Sequence, residues 1–174
     1  MPRTYLLKNL KDKISFYTNH HKRKANNENC MYILKNNKQR QRGLKLVNNI
    51  DDLKKEADDG FVLAQEYYKD PYLIKGRKVN FRYYLLVVCK NGKISGYIHK
   101  NGFVYYTPKF YKPNSLDFDR HITTGYIDRK VYETNPLTLE DFRKHLEKEK
   151  PGSSKIWDKN VNHLMNKVLE ALKL

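Results

Sequence analysis

Short stretches of strand length, either continuously apolar or alternating between apolar and polar residues, occur in the first half of the chain and predict β-strands. Three such stretches are CMYILK (30–35), GLKLV (43–47) and FVLAQEYY (61–68). The basic segment NNKQRQRG joins the first two. The segment NNIDDLKKEADDGF predicts a helix before the third, with Asn48 or Asn49 as its N-cap and Gly60 just past its end.

Three more strands are predicted in the middle of the chain, at 77–90 (RKVNFRYYLLVVCK), 92–100 (GKISGYIHK) and 102–110 (GFVYYTPKF). Asn91-Gly92 and Asn101-Gly102 separate them, and Asn-Gly is a strong signal for a two-residue hairpin turn. The sequence therefore predicts an antiparallel meander.

Two helices are predicted after the meander. PLTLEDFRKHLEKEK (136–150) has Thr138 and Asp141 at the spacing of a capping box. The last segment, 154–174, carries an apolar stripe that we expect to face the core: Trp157, Val161, Leu164, Met165, Val168 and Leu172. Strands and helices together predict an α+β fold class.

The polar segment TNHHKRKANNENC (18–30) shows neither period and is predicted to be a loop, in which His20 and His21 are solvated. The two cysteines, Cys30 and Cys89, have no metal-ligand spacing and are expected to be buried small residues in a reducing compartment.

Composition narrows the class of protein. Of the 174 residues, 39% are hydrophobic, yet no apolar run approaches the ~20 residues that span a membrane. The N-terminus lacks the pattern of a secretory signal, so a cytoplasmic protein without a membrane segment is expected. The net charge of +16 suits a polyanionic partner: nucleic acid, an anionic membrane or an acidic protein segment. Charge alone leaves these three open.

Basic and amide side chains open the strand predicted at 77–90. Alternation places Lys78, Asn80 and Arg82 on one face, while the other face, which starts at Arg77, continues apolar. Two desolvated cations are costly without an anion, and phosphate suits lysine and arginine. An exposed edge strand that uses charge against aggregation fits the same spacing. Both interpretations stay open on spacing alone.

Several blocks of the sequence, in order, resemble the tubulin-tyrosine ligase-like family, whose members have the ATP-grasp fold. The strongest is VLAQEYYKDPYLIKGRKVNFRYYLLV (62–87), which resembles the family pattern Q-K-Y-I-x-x-P-L-L-I-x-G-R-K-F-D-L-R-x-Y-V-L-V. MPRTYLL, MYILKNN, RQRGLKLV, HITT and the helical region from 135 resemble further family blocks, each weaker alone. The resemblance implies a two-lobe ATP-grasp-like arrangement, incomplete here, with a small lobe at 26–70 and a larger lobe at 71–174.

The resemblance also implies an ATP site between the lobes. Lys35 would reach the α- and β-phosphates, and the hinge residues at 65–68 would line the adenine. Lys78 and Arg82 are the candidate catalytic residues, because they would face the phosphates. The complete set of implied ATP-binding residues is Lys35, Arg40, Arg42, Gly43, Gln65, Glu66, Tyr67, Tyr68, Lys78, Asn80, Arg82, His121 and Thr123.

The implied reaction is that of an ATP-dependent carboxylate-amine ligase, which joins an amino acid to a protein such as an acidic tubulin tail. Departures from the family pattern bear on activity. Asn80 replaces an aspartate, Thr124 an asparagine and Tyr105 an arginine, for which Lys109 is a candidate substitute. The family's acidic Mg²⁺ ligands lie in strands beyond the last helix, and the chain ends at Leu174. We therefore expect no metal site and little or no ligase activity from this chain alone.

Two alternatives to a ligase remain at this point. The first is a non-catalytic protein that binds a nucleotide or an acidic polypeptide in the same cleft. The second is a basic nucleic-acid-binding protein, because 35 Lys and Arg residues and 14 tyrosines could combine phosphate contacts with base stacking.

Overall fold

The structure, a computed structural model, describes residues 2–38, 43–123 and 126–172. These residues form an α+β fold in which every paired strand is antiparallel to its partner. The chain forms two compact units. Unit 1 comprises Met1–Lys78 and Thr107–Tyr126, and unit 2 comprises Val79–Tyr106 and Ile127–Leu174. The two lobes that the sequence predicts, 26–70 and 71–174, stay a prediction about domain organisation.

Unit 1 is built on a four-stranded sheet with two helices. The strands are β1 (Thr4–Leu6), β2 (Tyr32–Lys35), β3 (Leu44–Val47) and β4 (Leu63–Glu66), in the spatial order β1-β4-β2-β3. The helices are α1 (Leu10–Ala25) and α2 (Ile50–Asp58). The three strands predicted in this region are therefore confirmed.

The core of unit 1 lies on one face of this sheet. Tyr32, Leu34 and Ala64 point to that face and are at most 1% exposed, as period-two alternation requires. Phe16 of α1 and Leu53 of α2 are equally buried against them. The opposite face of the sheet is consequently free to carry polar side chains.

Helix α1 overturns the prediction of a loop at 18–30, since it continues to Ala25. Asn9 caps its N-terminus by accepting a hydrogen bond from the backbone N–H of Asp12, and three basic residues occupy its last turn. The helix buries only Phe16 and His20, one turn apart, so its apolar stripe is too narrow to show as a period.

His20 is therefore not solvated, contrary to the prediction. Its side chain is 4% exposed, and its Nδ1 lies 3.0 Å from the hydroxyl of Tyr32. Burial lowers the pKa of His20, and the positive charges of neighbouring residues lower it further. The neutral imidazole is thus part of the core.

The caps of α2 follow the sequence prediction. Asn49 is the N-cap, and its side chain accepts a hydrogen bond from the backbone N–H of Asp52. Gly60 adopts φ = 99° just past the end of the helix, in the left-handed region that glycine favours there.

The predicted meander is wrong in its pairing. Its first strand divides into β6 (Arg77–Arg82) and β7 (Leu85–Lys90), preceded by the short β5 (Leu73–Ile74). The remaining strands are β8 (Lys93–Ile98) and β9 (Phe103–Tyr106). Strand β6 pairs with β5 and with β9, whereas β7 pairs with β8 alone.

The two Asn-Gly pairs explain this difference. Asn91 and Gly92 have φ values of 50° and 74°, as a two-residue turn between β7 and β8 requires. Gly102 instead packs tightly against β6, where a Cβ atom would lie 2.0 Å from the carbonyl oxygen of Arg82. The second pair therefore directs β9 to β6 rather than back along β8.

The remaining helices are α3 (Val131–Thr134), α4 (Leu139–Glu149) and α5 (Ser153–Ala171). The capping box of Thr138 and Asp141 at the start of α4 is confirmed. The expected core stripe of α5 is only partly packed. Trp157 contacts Phe81 and Phe142, yet no described residue of α5 is buried, and Leu164 is 58% exposed.

The cysteine prediction is confirmed for Cys30, which is buried, and wrong for Cys89, which is exposed on β7. Across the described ranges, no helix is long and apolar enough to cross a membrane.

Replacing Gly102 with alanine is expected to lower the free energy of unfolding by about 1–3 kcal/mol, because the added methyl group would collide with the backbone of Arg82. Urea denaturation measures this change. Ser95→Ala, on the exposed face of β8, is the matched control and should change stability by no more than about 0.5 kcal/mol. Equal stability of the two variants would contradict the close packing.

Because the pKa of His20 is lower in the folded chain than in the unfolded chain, stability is expected to fall as pH drops below about 6.5. His121 has the same direction of shift and contributes to the same loss. His20→Gln, which retains a hydrogen-bonding group for Tyr32, should flatten the decrease between pH 7.5 and 5.5. The exposed His163→Gln is the control. A decrease that is identical in both variants would contradict the account of His20.

Candidate functional site

The face of the unit 1 sheet opposite its core carries the first candidate lysine. Lys35 is paired with Leu63, and Ile33 with Gln65, so these side chains project to the same side. The backbone N–H of Tyr67 donates to the carbonyl of Met31 over 2.9 Å, which extends the pairing by one residue beyond β4. Gln65 and Tyr67 therefore share this side as well. We call it the polar face: Ile33, Lys35, Leu63, Gln65 and Tyr67.

Lys35 is fixed on the polar face by a short chain of hydrogen bonds. Its Nζ donates to Gln65 Oε1 over 3.0 Å, and Gln65 Nε2 donates to the hydroxyl of Thr4 over 2.9 Å. Gln65 and Thr4 are both neutral. The positive charge of Lys35 thus remains available to an anion.

Tyr67 brings the second candidate lysine to the same segment. Lys78 Nζ donates to the hydroxyl oxygen of Tyr67 over 2.8 Å, and Nζ also lies 4.7 Å from the centre of the Tyr67 ring. These are a hydrogen bond and a cation–π contact to one side chain. Gln65 and Tyr67 are two residues apart, so each of the two lysines is held by a neighbouring side chain of the polar face.

His121 contacts Tyr67 through a hydrogen bond and a ring contact. Its ring is fully buried, with Nδ1 3.1 Å from the Tyr67 hydroxyl, and the two rings meet edge to face at 5.3 Å. Lys78 donates to the hydroxyl oxygen, and the hydroxyl hydrogen has two acceptors on His121, Nδ1 at 3.1 Å and the backbone carbonyl oxygen at 3.5 Å. We assign the hydrogen to the nearer acceptor, Nδ1. That arrangement needs a neutral imidazole. Burial, aided by the charge of Lys78, lowers the pKa of His121 accordingly.

Lys78 is a desolvated cation with neutral partners. Burial lowers the pKa of Lys78, and the same cause raises the pKa of Tyr67. Within the described part of the chain, no Asp or Glu carboxylate forms an ion pair with Lys78. Such a group gains from any anion that reaches it, because the anion offsets the lost hydration.

Glu66 and Tyr68 lie differently from Gln65 and Tyr67. Glu66 alternates to the other side of β4, where it accepts a hydrogen bond from Tyr5 and pairs with Arg23 at 3.3 Å. A groove of about 820 Å³ borders this side, and neither Lys35 nor Lys78 lines it. Its lining residues are Pro2, Arg23, Glu28, Asn29, Glu66, Tyr67, Tyr68, Lys69 and Asp70. The groove mixes both signs of charge and is a poor match for a triphosphate. The adenine-lining role of the hinge stays a prediction.

Asn80 and Arg82 belong to unit 2. Both are exposed, and Asn80 is paired with Tyr105 across the β6–β9 ladder. The guanidinium of Arg82 lies 4.7 Å from the centre of the Tyr105 ring. Tyr105, where the resemblance implies an arginine, therefore contacts the arginine on the neighbouring strand.

Some of the remaining predicted site residues are described by the structure, and others are not. Arg40 and Arg42, like Thr124, lie outside the described residues. Gly43 is buried where a Cβ atom would lie 2.3 Å from the carbonyl oxygen of Lys38, so only glycine fits there. Thr123 is partly exposed, close to His121 in the chain.

Lys109, the candidate substitute for the missing arginine, is exposed and paired with two carboxylates. Its Nζ lies 3.0 Å from Asp117 and 3.4 Å from Asp119. These partners already neutralise its charge, which makes it a weak candidate for a phosphate contact.

Two residues near the site were missed by the sequence interpretation. Tyr111 donates from its hydroxyl to the carbonyl of Lys69 over 2.7 Å and packs edge to face on His121 at 5.1 Å. Arg77 donates to the carbonyls of Thr107 and Pro108, at 2.8 and 2.5 Å. Both residues make contacts with segments about thirty or more residues away in the chain. Local sequence patterns do not predict contacts of this kind.

Magnesium, which the resemblance implies, does not fit the described residues. Among them, no three His, Cys, Asp or Glu side chains come together in a group that could hold a metal ion. The cationic character of Lys35 and Lys78 also suits an anion rather than a metal.

Comparison with known proteins agrees with the family resemblance found in the sequence. The chain is 32% identical over 68 residues to a protein polyglycylase of Macaca fascicularis, covering 39% of this chain and 11% of that protein. An inactive polyglycylase of Homo sapiens is also 32% identical over 68 residues, 39% of this chain and 10% of the relative. A probable tubulin polyglutamylase of Caenorhabditis elegans is 26% identical over 137 residues, 73% of this chain and 32% of the relative.

The matched region thus spans about a tenth of the length of the first two relatives. The sequence profile of the tubulin-tyrosine ligase family extends further along this chain, matching residues 1–173. With nearly every residue inside that match, the chain belongs to the tubulin-tyrosine ligase family.

Proposed function

We propose that the chain binds the phosphates of ATP, with Lys35 and Lys78 as ligands, as part of a ligase that adds amino acids to an acidic protein tail. One observation carries the proposal: Lys78 is desolvated, is held by Tyr67, which His121 contacts in turn, and forms no ion pair with a described carboxylate. Lys35 is held on the same polar face. Two prepositioned cations of this kind suit a chain of phosphates.

The Tyr67–His121 pair would prepare Lys78 for its ligand. The hydroxyl oxygen of Tyr67 accepts from one N–H of Lys78, while the other ammonium hydrogens remain available for phosphate oxygens. Since neither partner carries a negative charge, the pair fixes the position of the ammonium group without neutralising it. Preorganised charge of this kind costs little reorganisation when the ligand binds.

Further phosphate contacts are proposed from the resemblance. These candidates are Arg40, Arg42 and Arg82, and their role rests on the resemblance alone. In the family reaction, the γ-phosphoryl group passes to a carboxylate, and an amine then attacks the acyl phosphate and releases phosphate. The net charge of +16 would attract an acidic protein tail and speed its encounter with the chain.

A non-catalytic nucleotide-binding protein is the second candidate function. It is favoured by one observation, the poor fit of the described residues to the magnesium that the family reaction needs. One of the relatives is itself named as an inactive polyglycylase. ATP binding is common to both candidates. Magnesium-dependent turnover of ATP by the purified chain would favour the ligase over the binding protein.

Lys78→Met is expected to weaken ATP binding by about tenfold or more, because one charge-assisted hydrogen bond to phosphate is lost. The dissociation constant from isothermal titration calorimetry measures this effect. Lys112→Met, which removes the same charge from an exposed position, should leave the affinity within about twofold. An equal loss in both variants would show that net charge alone attracts the nucleotide.

Tyr67→Phe tests the positioning role of the hydroxyl group. It retains the ring under Lys78 but removes the hydrogen bond, so we expect ATP affinity to fall about three- to tenfold. Adenosine, which has no phosphate, should bind both proteins equally. Tyr111→Phe removes a nearby hydroxyl that donates to a backbone carbonyl, and it serves as control. A loss of ATP affinity that adenosine shares would contradict the assignment.

A further inference from the structure

The hydroxyl oxygen of Tyr67 contacts two nitrogen atoms that can both carry a positive charge. Lys78 Nζ lies 2.8 Å from this oxygen and His121 Nδ1 lies 3.1 Å from it, so the two nitrogens are at most about 6 Å apart. At an effective dielectric constant of about 20, the repulsion of two unit charges at about 6 Å changes an equilibrium about a hundredfold. Both groups are therefore charged together only when a further charge offsets this repulsion.

His121 is the group that stays neutral in the free protein. The ordinary pKa of a lysine lies about four units above that of a histidine, so the lysine keeps its proton when the two compete. Burial is the largest cause that lowers the pKa of His121, and the charge of Lys78 lowers it further. The neutral ring accepts the hydroxyl hydrogen of Tyr67 through Nδ1.

The other groups packed against His121 do not favour its charged form enough to reverse this order. The titratable and charged groups that face it come from the residue after β4, from β6 and from the segment that leads to His121 itself: Tyr67, Lys78, Tyr111, Asp117 and Arg120. Asp117 favours the charged ring, but it is already paired with Lys109 at 3.0 Å and with Arg120 at 3.3 Å. An additional anion beside Lys78 would shift the balance toward the charged ring.

His121 can take up a proton without losing its bond to Tyr67. The hydroxyl group of Tyr67 has a second acceptor at 3.5 Å, the backbone carbonyl oxygen of His121. When Nδ1 carries a hydrogen taken from the solvent, it donates to the Tyr67 oxygen, and the hydroxyl hydrogen turns to that carbonyl. The hydroxyl oxygen has two lone pairs, so it still accepts from Lys78 as well. The change requires the rotation of one hydrogen atom.

We propose that an anion bound to Lys78 draws a proton onto His121, which then becomes a further cation of the same site. An anion that accepts from a free hydrogen of Lys78 lies at most about 9 Å from Nδ1 of His121. At that distance and the same dielectric constant, one negative charge favours the charged ring about twentyfold. The inference rests on the proposed function and deepens it, since the anion is the phosphate chain of the nucleotide.

The expected consequence is that the affinity for phosphate rises as pH falls. The pKa of His121 is low in the free protein and higher in the occupied site, so binding takes up a proton at pH values between the two. The gain in affinity begins as pH falls through the higher value and is complete below the lower value. A site in which protonation of His121 displaced Lys78 would show the opposite slope.

The pair of His20 and Tyr32 is an internal control for this inference. Nδ1 of His20 lies 3.0 Å from the hydroxyl of Tyr32, and burial lowers the pKa of His20 as it does that of His121. Among the described residues, however, no lysine bonds to the hydroxyl of Tyr32. An anion that binds at Lys78 should therefore leave the titration of His20 unchanged.

The direct test follows the ring protons of both histidines by NMR while the complete chain is titrated between pH 8 and pH 5, with and without sulfate. Sulfate is the probe because its charge stays constant over this range, whereas the phosphates of ATP take up protons themselves. His121 is identified by its contacts with the rings of Tyr67 and Tyr111. Saturating sulfate should raise the apparent pKa of His121 by about one unit or more and leave that of His20 unchanged. An unchanged His121, or an equal shift of both histidines, would overturn the proposal.

Lys78→Met tests whether the anion acts through this lysine. Removing its charge should raise the apparent pKa of His121 in the absence of sulfate, and sulfate should then no longer move it. Lys112→Met, at an exposed position, is the matched control and should behave as the parent chain does. Circular dichroism checks that both variants fold. A sulfate effect of equal size in Lys78→Met and in the parent chain would overturn the assignment to Lys78.

Calorimetry with ATP distinguishes this inference from the proposed function. Binding enthalpies in buffers of different ionisation enthalpy give the number of protons taken up, and the comparison with His121→Gln removes the contribution of ATP itself. We expect greater proton uptake in the parent chain. ATP binding with equal uptake in both proteins would overturn the inference and leave the proposed function standing. A shift of His121 by sulfate without any binding of ATP would support the proton linkage and overturn the proposed function.

Discussion

The site depends on one unbalanced charge, the ammonium group of Lys78. Burial removes much of its hydration, and its described contacts, the hydroxyl and ring of Tyr67, return only part of that free energy. His121 completes the arrangement, since a neutral imidazole orients the hydroxyl without adding charge. A carboxylate in place of either partner would satisfy the cation and remove its affinity for a ligand. The proposed preference for an anion therefore follows from the neutral partners that unit 1 places around Lys78.

Local sequence signals account for much of the fold. Short apolar or alternating stretches located β2, β3 and β4, and caps located both ends of α2 and the start of α4. In each case a few adjacent residues satisfy the backbone groups or bury the side chains concerned. The α+β class followed from the same signals. The family resemblance supplied Lys35, Lys78 and His121 as candidate site residues, and the structure places Lys78 and His121 around Tyr67.

Contacts between distant segments could not be predicted in this way. The pairing of β9 with β6 depends on the close approach of Gly102 to Arg82. The sequence alone does not show this approach, so the Asn-Gly pair predicts a turn. Helix α1 was missed because Phe16 and His20 are its only buried residues. The exposure of β7 and of Leu164 was likewise hidden, since an apolar pattern predicts burial without stating what provides the cover.

The central claim is that Lys35 and Lys78 bind one phosphate chain, and a double-mutant cycle tests it most directly. The dissociation constants of ATP and adenosine are measured for the parent chain, Lys35→Met, Lys78→Met and the double variant. The account predicts that each substitution weakens ATP and not adenosine, and that the two effects are not additive because both cations contact the same ligand. An ATP affinity that survives either substitution, or a loss that adenosine shares, would contradict it.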